Sequence, residues 1–186
     1  MRIISGFFKG KKIQEPLDKY TRPLKDLTKE SIFNIISHSN KFNVKLSGAI
    51  ILDLFSGVGS FGIECLSRGA KKVIFVENYT NVLKILKKNI HNLKSINNYE
   101  IIEQNIYEYD LKIYIKNTFD IIFLDPPFKD KNLNKLLIKI ENYNLLNKNG
   151  IVIIHRHKSE KHVFPEKFKV IEEKKYGISK IFFLTF

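Results

Sequence analysis

The sequence predicts an α/β fold, a doubly wound Rossmann-like sheet that ends in an antiparallel hairpin. From residue 49 onward, apolar strand-like runs alternate with amphipathic helical stretches, which is typical of a parallel sheet covered on both faces. At the C-terminus, two strand-like runs flank Gly177-Ile178 with too few residues between them for a crossover helix. These two runs must therefore pair as an antiparallel hairpin.

The chain starts with a short arm. Residues 2–14 place apolar residues around a glycine-containing middle and predict a hairpin. Apolar residues at mostly helical intervals then predict a helix from about residue 24 to 38. The polar segment SHSNKFNVKLSG follows this helix. We place a boundary there, so that residues 1–47 form a hairpin-helix arm and residues 48–186 form the main domain.

The elements of the main domain follow in a regular alternation. Strands are predicted by apolar runs at 49–55, 72–77, 99–104, 120–125 and 150–156. Helices are predicted between them by amphipathic stretches around 60–68, 80–92, 106–116 and 131–143.

Composition narrows the class of protein. A chain of 186 residues is long enough to bury one proper core. Its apolar runs are far shorter than the roughly 20 residues that span a bilayer, so we expect a cytoplasmic protein. We also expect it to be a monomer. Cys65 is the only cysteine, which excludes an internal disulfide and a multi-cysteine metal site. The net charge of +13, carried mostly by lysines, moderately favours a nucleic-acid partner.

A glycine loop joins the first strand of the main domain to its helix. Residues 53–62, DLFSGVGSFG, have the G-x-G-x-x-G spacing that allows a tight turn and close approach of the backbone to a ligand. A dinucleotide or S-adenosylmethionine could bind here. The acidic Asp53 suits the cationic S-adenosylmethionine better, and the final hairpin resembles the seven-stranded methyltransferase sheet. The candidate cofactor residues are Asp53, Phe55, Gly57, Gly59, Glu77 and Asn105.

A second motif, Asp125-Pro126-Pro127-Phe128, directly follows the strand at 120–125. An exocyclic amino group is a weak nucleophile, so its two hydrogens must be held while its nitrogen is aimed at a methyl donor. The Asp125 carboxylate and the Pro126 carbonyl provide two acceptors, and proline fixes φ. Phe128 can stack on a base that has left its helix or loop. The motif therefore predicts methylation of an amino group, with Asp125, Pro126, Pro127 and Phe128 as catalytic residues.

Together these stretches resemble the RsmD family. Asp125-Pro126-Pro127-Phe128 looks like the motif of amino-group methyltransferases, and DLFSGVGSFGIECLSRGA resembles an S-adenosylmethionine motif. RIISGFFKGKKI at 2–13 and TRPLKDLTKESIFN at 21–34 resemble the two signatures of the family's arm. The resemblance implies an S-adenosylmethionine-dependent enzyme that methylates N2 of one guanine, guanine 966, of 16S ribosomal RNA. Its substrate would be an assembled or partly assembled 30S subunit.

The resemblance also implies that basic residues of the arm bind RNA. The candidates are Lys9, Lys11, Lys12, Arg22 and Lys25. The chain departs from the family after the fifth strand, where His155-Arg156-His157-Lys158 replaces acidic residues. We read this segment as an additional rim that contacts RNA, and no metal is expected because a third ligand is lacking.

Other functions remain open from the sequence. An adenine-N6 methyltransferase acting on DNA or RNA would use the same Asp125 chemistry, but DNA enzymes need a target-recognition domain that this chain lacks. A glutamine methyltransferase acting on protein usually has asparagine at the position of Asp125. A non-catalytic RNA-binding module of the same fold would not need the intact motif and glycine loop.

Overall fold

The structure, a computed structural model, describes residues 1–16, 24–108, 110–114 and 116–186. The strands form one seven-stranded sheet with the order β3-β2-β1-β4-β5-β7-β6. This order confirms the predicted doubly wound fold. The strands are β1 (Ile50–Leu54), β2 (Lys72–Val76), β3 (Tyr99–Ile102), β4 (Phe119–Leu124), β5 (Leu146–His157), β6 (Lys169–Tyr176) and β7 (Ser179–Thr185). The helices are α1 (Asp26–His38), α2 (Ser60–Ser67), α3 (Thr80–His91), α4 (Leu111–Tyr114) and α5 (Leu133–Asn142).

The strand directions determine where a ligand can bind. Strands β1 to β5 are parallel, whereas β7 lies antiparallel between β5 and β6 and confirms the predicted hairpin. In the sheet, β2 lies on one side of β1 and β4 on the other, so the strand order reverses its direction between β1 and β4. In sheets of this kind the ligand crevice lies at the carboxyl ends of the strands beside such a switch point.

Three elements differ from the sequence prediction. In place of a helix over 106–116, only Leu111–Tyr114 is helical among the described residues, because the Asn105 side chain accepts the Tyr107 amide hydrogen and stabilises a turn. Strand β5 starts at Leu146, earlier than predicted, and pairs there with Phe119 through an irregular register. The N-terminal hairpin contains an isolated antiparallel bridge, between Arg2 and Lys12, in place of two strands, and backbone hydrogen bonds from Ile3 N to Lys11 O at 2.9 Å and from Ile13 N to Met1 O at 3.0 Å join its two sides.

Alternating side chains divide the core into two layers, one on each face of the sheet. Ile51, Phe75 and Phe123 face a layer that contains helices α1, α2 and α3. Leu52 and Leu124 face the other layer, which contains α5. Among the described residues, no helix is both long enough and apolar enough to cross a membrane.

The N-terminal arm shares the first of these layers with the sheet. Phe33 of α1 stacks on Phe61 of α2 at 5.1 Å between ring centroids, and Phe61 stacks on Phe123 of β4 at 4.0 Å. One row of aromatic rings therefore joins the arm to the strand that precedes Asp125. The boundary between arm and main domain was drawn from the sequence. In the structure, apolar packing continues from one to the other without a break.

Charged groups are also buried where the arm meets α2. The carboxylate of Glu64 is fully buried and accepts hydrogen bonds from Ile4 N at 2.7 Å, Ser5 N at 2.9 Å and Arg68 Nε at 2.8 Å. The ammonium group of Lys29 lies 4.0 Å from the same carboxylate and donates to the Arg2 carbonyl at 2.7 Å. Burial lowers the pKa of Lys29, although Glu64 and Asp26 oppose this shift. This network fixes the arm against the helix that begins at the glycine loop.

We expect Glu64→Gln to lower the free energy of unfolding by about 3–5 kcal/mol, the usual cost of removing one partner from a buried ion pair. The amide cannot accept all three hydrogen bonds, and it leaves the buried Lys29 with only the partly exposed Asp26 carboxylate, 3.6 Å away, as a counter-charge. Urea unfolding measures the change. The control is Glu103→Gln, which removes an exposed pair with Lys87 and should cost at most about 1 kcal/mol. Equal losses for the two variants would contradict the role of the buried network.

Candidate functional site

The glycine loop leaves one buried acceptor without a donor. Asp53 is 1% exposed, and its Oδ2 accepts a hydrogen bond of 3.0 Å from Gly62 N. Its Oδ1 is buried and has no hydrogen-bond partner within the described residues. Burial raises the pKa of Asp53 well above its ordinary value, and the nearby Asp125 carboxylate adds to the shift. A cationic N–H donor at this position would satisfy Oδ1 and favour the ionised carboxylate.

Glycine is required at the start of α2. Gly59 has a φ of 84°, and a Cβ atom there would lie 2.4 Å from Leu86 Cδ1. Gly57 N donates a hydrogen bond of 2.8 Å to Glu77 Oε2. The loop is therefore held by both backbone conformation and the acidic residue that follows β2.

A cleft beside this loop brings together Phe55, Glu77 and Asn105. Glu77 Oε1 accepts the amide hydrogens of Asn78 at 2.9 Å and Tyr79 at 2.8 Å, so this carboxylate shapes the cleft as well as lining it. A carboxylate has about four lone-pair sites, and Glu77 uses three of them. The cleft is lined by Phe55, Val76, Glu77, Asn78, Gln104, Asn105 and Ile106.

The side chain of Asn105 forms hydrogen bonds with residues two and three positions further along the chain. Its Oδ1 accepts from Tyr107 N at 3.1 Å, and its Nδ2 donates to Glu108 Oε1 at 2.6 Å. An amide group can make further bonds through its second lone pair and second hydrogen. The predicted hydrogen bond from Asn105 to adenine stays a prediction.

Asp125 follows β4 at the same edge of the sheet as Asp53 and Glu77. Its backbone N–H donates to Leu54 O at 3.3 Å, which ties the start of the Asp125-Phe128 loop to β1. Its side chain is 20% exposed, and Oδ1 forms a hydrogen bond of 2.8 Å with His155 Nδ1. Within the described residues Oδ2 has no hydrogen-bond partner. The carboxylate therefore has one oxygen engaged inside the protein and one available at the surface of the site.

Arg156 of β5 fixes the backbone of the loop that follows Asp125. The guanidinium group donates to the carbonyl oxygens of Pro127 and Phe128, both at 2.9 Å, and of Asp130 at 3.2 Å. It also pairs with Glu160. The Pro126 carbonyl has only a long contact of 3.5 Å to Arg156 within the described chain. Among these carbonyls, that of Pro126, a buried residue, is the one least engaged by Arg156.

The position of Arg156 corrects one sequence prediction. His155 and Arg156 are 6% and 1% exposed, so the prediction that these two residues form a rim contacting RNA is wrong. Strand β5 continues past the end of β4, and its side chains point under the loop instead of into solvent. Sequence reasoning missed both residues as part of the site. The available signal was a histidine and an arginine directly after the apolar run 151–154.

Phe128 lies against two histidine side chains. The ring centroids of His155 and His157 are 5.7 Å and 5.3 Å from that of Phe128, in edge-on contacts. Residues two apart on a strand share a face, which explains why both imidazoles reach the same ring. In the described part of the chain, no group of three or more His, Cys, Asp or Glu side chains is placed to hold a metal ion.

The arm reaches the glycine loop through Asn89 of α3. Asn89 Nδ2 donates to Val58 O at 3.0 Å and to Gln14 O at 3.1 Å, while Gln14 N donates to Asn89 Oδ1 at 2.8 Å. The predicted RNA-binding residues Lys9, Lys11, Lys12 and Lys25 are exposed, and Arg22 lies outside the described residues.

Comparison with known proteins identifies the family. The profile of the family described as "Conserved hypothetical protein 95" matches residues 1–185. The chain belongs to this family. It is the RsmD family that the motifs indicate. "Ribosomal RNA small subunit methyltransferase D" of Haemophilus influenzae is 33% identical over 182 residues, covering 96% of this chain and 90% of that protein. The protein of the same name from Buchnera aphidicola (Acyrthosiphon pisum) is 33% identical, covering 92% and 86%.

Solved structures agree with the fold. The Escherichia coli protein yhhF has a TM-score of 0.80 and 25% identity, covering 99% of this chain and 96% of that chain. The Haemophilus influenzae protein HI0767 has a TM-score of 0.73 and 31% identity, covering 98% and 96%. SMU.776, solved in complex with SAH, shares the fold with a TM-score of 0.66 and 17% identity, covering 83% and 48%. The RsmD-family chain is thus a methyltransferase, with the fold of the S-adenosylmethionine-dependent methyltransferases.

Proposed function

We propose that this methyltransferase modifies the N2 amino group of one guanine, guanine 966, in 16S ribosomal RNA of the small subunit. The observation that carries the proposal is a pair of weakly engaged acceptors at the carboxyl end of β4: Asp125 Oδ2, which has no partner among the described residues, and the Pro126 carbonyl, which has only a long contact to Arg156. The relatives named as small-subunit methyltransferases support ribosomal RNA as the substrate. The exposed lysines of the arm support a polyanionic partner.

The cofactor residues fit S-adenosylmethionine. Asp53 Oδ1 is a buried acceptor without a donor, which suits the ammonium group of the methionine part. Glu77 would bind ribose hydroxyls through its remaining lone-pair site, and Phe55 and Asn105 would line the adenine region. Gly57 and Gly59 allow the backbone to approach. When bound, the cofactor supplies an electrophilic methyl group on a sulfonium.

The residues of the loop orient the amino group. Asp125 Oδ2 and the Pro126 carbonyl each accept one N–H, which favours a tetrahedral nitrogen whose lone pair is no longer delocalised into the guanine ring and points towards the methyl group. Phe128 stacks on the extruded base. A bound S-adenosylmethionine would supply the methyl group to this nitrogen, and the electrons of its carbon–sulfur bond would remain on sulfur. The nitrogen is then cationic and acidic, so Asp125 or water takes its proton without a strong base.

The experiment compares substrates directly. The purified protein is incubated with methyl-labelled S-adenosylmethionine and three acceptors: small subunits that lack the modification, naked 16S RNA and DNA. The labelled nucleoside is identified by mass spectrometry after digestion. We expect N2-methylguanosine in ribosomal RNA at a single position. N6-methyladenosine, or label confined to DNA or protein, would overturn the proposal.

A further inference from the structure

A chain of hydrogen bonds leads from Asp125 into the interior of the sheet. His155 Nδ1 bonds Asp125 Oδ1 at 2.8 Å, and His155 Nε2 bonds Ser179 Oγ at 2.8 Å. The three residues belong to the end of β4, to β5 and to β7, which are neighbours in the sheet. Both nitrogens of the imidazole are therefore occupied, and its plane is fixed.

The two ends of this chain of hydrogen bonds differ in how deeply they are buried. Ser179 is 7% exposed and His155 is 6% exposed, whereas the Asp125 side chain is 20% exposed. The imidazole is thus the more buried partner, and the carboxylate that it bonds is the more exposed one. A histidine that was buried only to fill space could bond any nearby acceptor. His155 bonds the one carboxylate of the Asp125-Phe128 motif.

The charges around His155 come from two directions. Asp125 faces it from the end of β4 and Arg156 lies beside it on β5, while Ser179 on β7 and the Phe128 ring are uncharged. Burial opposes the imidazolium, and so does Arg156. The Asp125 carboxylate more than offsets both, so the pKa of His155 is raised above its ordinary value.

We propose that His155, supported by Ser179, is a positioning residue that holds Asp125 with Oδ1 turned inward and Oδ2 facing the amino group. This inference rests on the proposed function. The imidazolium donates from both nitrogens, to Asp125 and to the Ser179 hydroxyl oxygen. The neutral imidazole still donates from Nδ1, while the Ser179 hydroxyl donates to Nε2. The carboxylate is thus oriented in either protonation state.

The arrangement also limits what Asp125 does chemically. Its Oδ1 is already engaged by the imidazole, and Oδ2 is the oxygen left to face the amino group. Asp125 is therefore suited to accept a hydrogen bond from the amino group while the nitrogen attacks, and to pass the proton to water afterwards.

We expect His155→Gln to lower kcat by about 10–100-fold, the usual effect of removing a group that orients a functional side chain. The KM for RNA should change little, because His155 does not reach the surface. The imidazolium holds the carboxylate more strongly than the neutral imidazole does, so the variant should lose the inflection that His155 gives to the pH–rate profile. Ser179→Ala removes only a hydroxyl and should lower kcat in the same direction by less. It provides the test if His155→Gln does not fold.

The control is His91→Gln, which replaces an exposed histidine in the last turn of α3 and should keep the wild-type kcat and profile. A second measurement does not depend on turnover: NMR titration of the His155 imidazole in the wild type and in Asp125→Asn. Its midpoint should fall when the carboxylate is removed, while that of His91 should not move.

The outcomes separate the two claims. A wild type that methylates ribosomal RNA, with a His155→Gln variant of unchanged kcat and pH profile, would overturn the positioning role alone. An unchanged His155 midpoint in Asp125→Asn would overturn it as well, whatever the substrate. A wild type that leaves ribosomal RNA unmodified would overturn the proposed function and the positioning role that rests on it.

Discussion

Asp125→Ala is expected to lower kcat for methyl transfer by about 10²–10³-fold, the size of effect that follows loss of one preorganised polar contact in an active site. The side chain provides one of the two acceptors for the amino group, and the backbone carbonyl of Pro126 cannot orient the nitrogen alone. Binding of S-adenosylmethionine should persist, because the bonds of Asp125 are to His155 and Leu54 and not to the cleft beside Glu77. Single-turnover kinetics and equilibrium dialysis measure the two quantities separately.

A second variant at this position tests what the carboxylate does. Asp125→Asn keeps one acceptor oxygen but removes the charge, so it should retain more activity than Asp125→Ala if the main role is to accept a hydrogen bond. If the two variants are equally inactive, Asp125 acts chiefly as a base. The matched control is Glu100→Ala, which removes an exposed carboxylate paired with Lys72 on β2. Wild-type turnover by Asp125→Ala would contradict the proposed mechanism.

The fold was largely predictable because its strands are continuous apolar runs. Five parallel strands and the final hairpin all appear in the sheet, since a strand buried on both faces requires an unbroken run such as that of β4. The prediction of a helix at 106–116 was wrong, and the reason is local. Its apolar residues have helical spacing, but the side chain of Asn105 holds the next residues in a turn, and only Leu111–Tyr114 is helical among those described.

The site was predictable only where its residues lie in a contiguous motif. The glycine loop and residues 125–128 are local patterns, and the sheet order brings their ends to one edge. His155, Arg156 and Ser179 act across strands, and their partners are 24 to 30 residues away in the chain. Sequence periodicity cannot show which long side chain turns under a loop. The sequence analysis therefore predicted that His155 and Arg156 are exposed, whereas both side chains are buried.

The conformation of the Asp125-Phe128 loop depends on Arg156, and its loss should have the second large effect. We expect Arg156→Met to lower the free energy of unfolding by about 3–5 kcal/mol, because Glu160 loses its cationic partner. The carbonyls of Pro127 and Phe128 also lose their donors. Arg156→Lys keeps the charge but cannot reproduce the planar fork, so it should cost less stability.

The lysine variant separates positioning from stability. Where Arg156→Lys is fully folded, we expect kcat to fall by about 10-fold or more while the Kd for S-adenosylmethionine stays unchanged, because the donors of an ammonium group all lie on one atom and cannot reproduce the planar fork that spans the loop carbonyls. The comparison is Arg68→Lys, which weakens an ion pair with Glu64 away from the loop. That variant should lose some stability and keep its kcat. If both lysine variants lose stability and neither loses turnover, Arg156 supports the fold alone, and the loop reaches its active conformation without the guanidinium group.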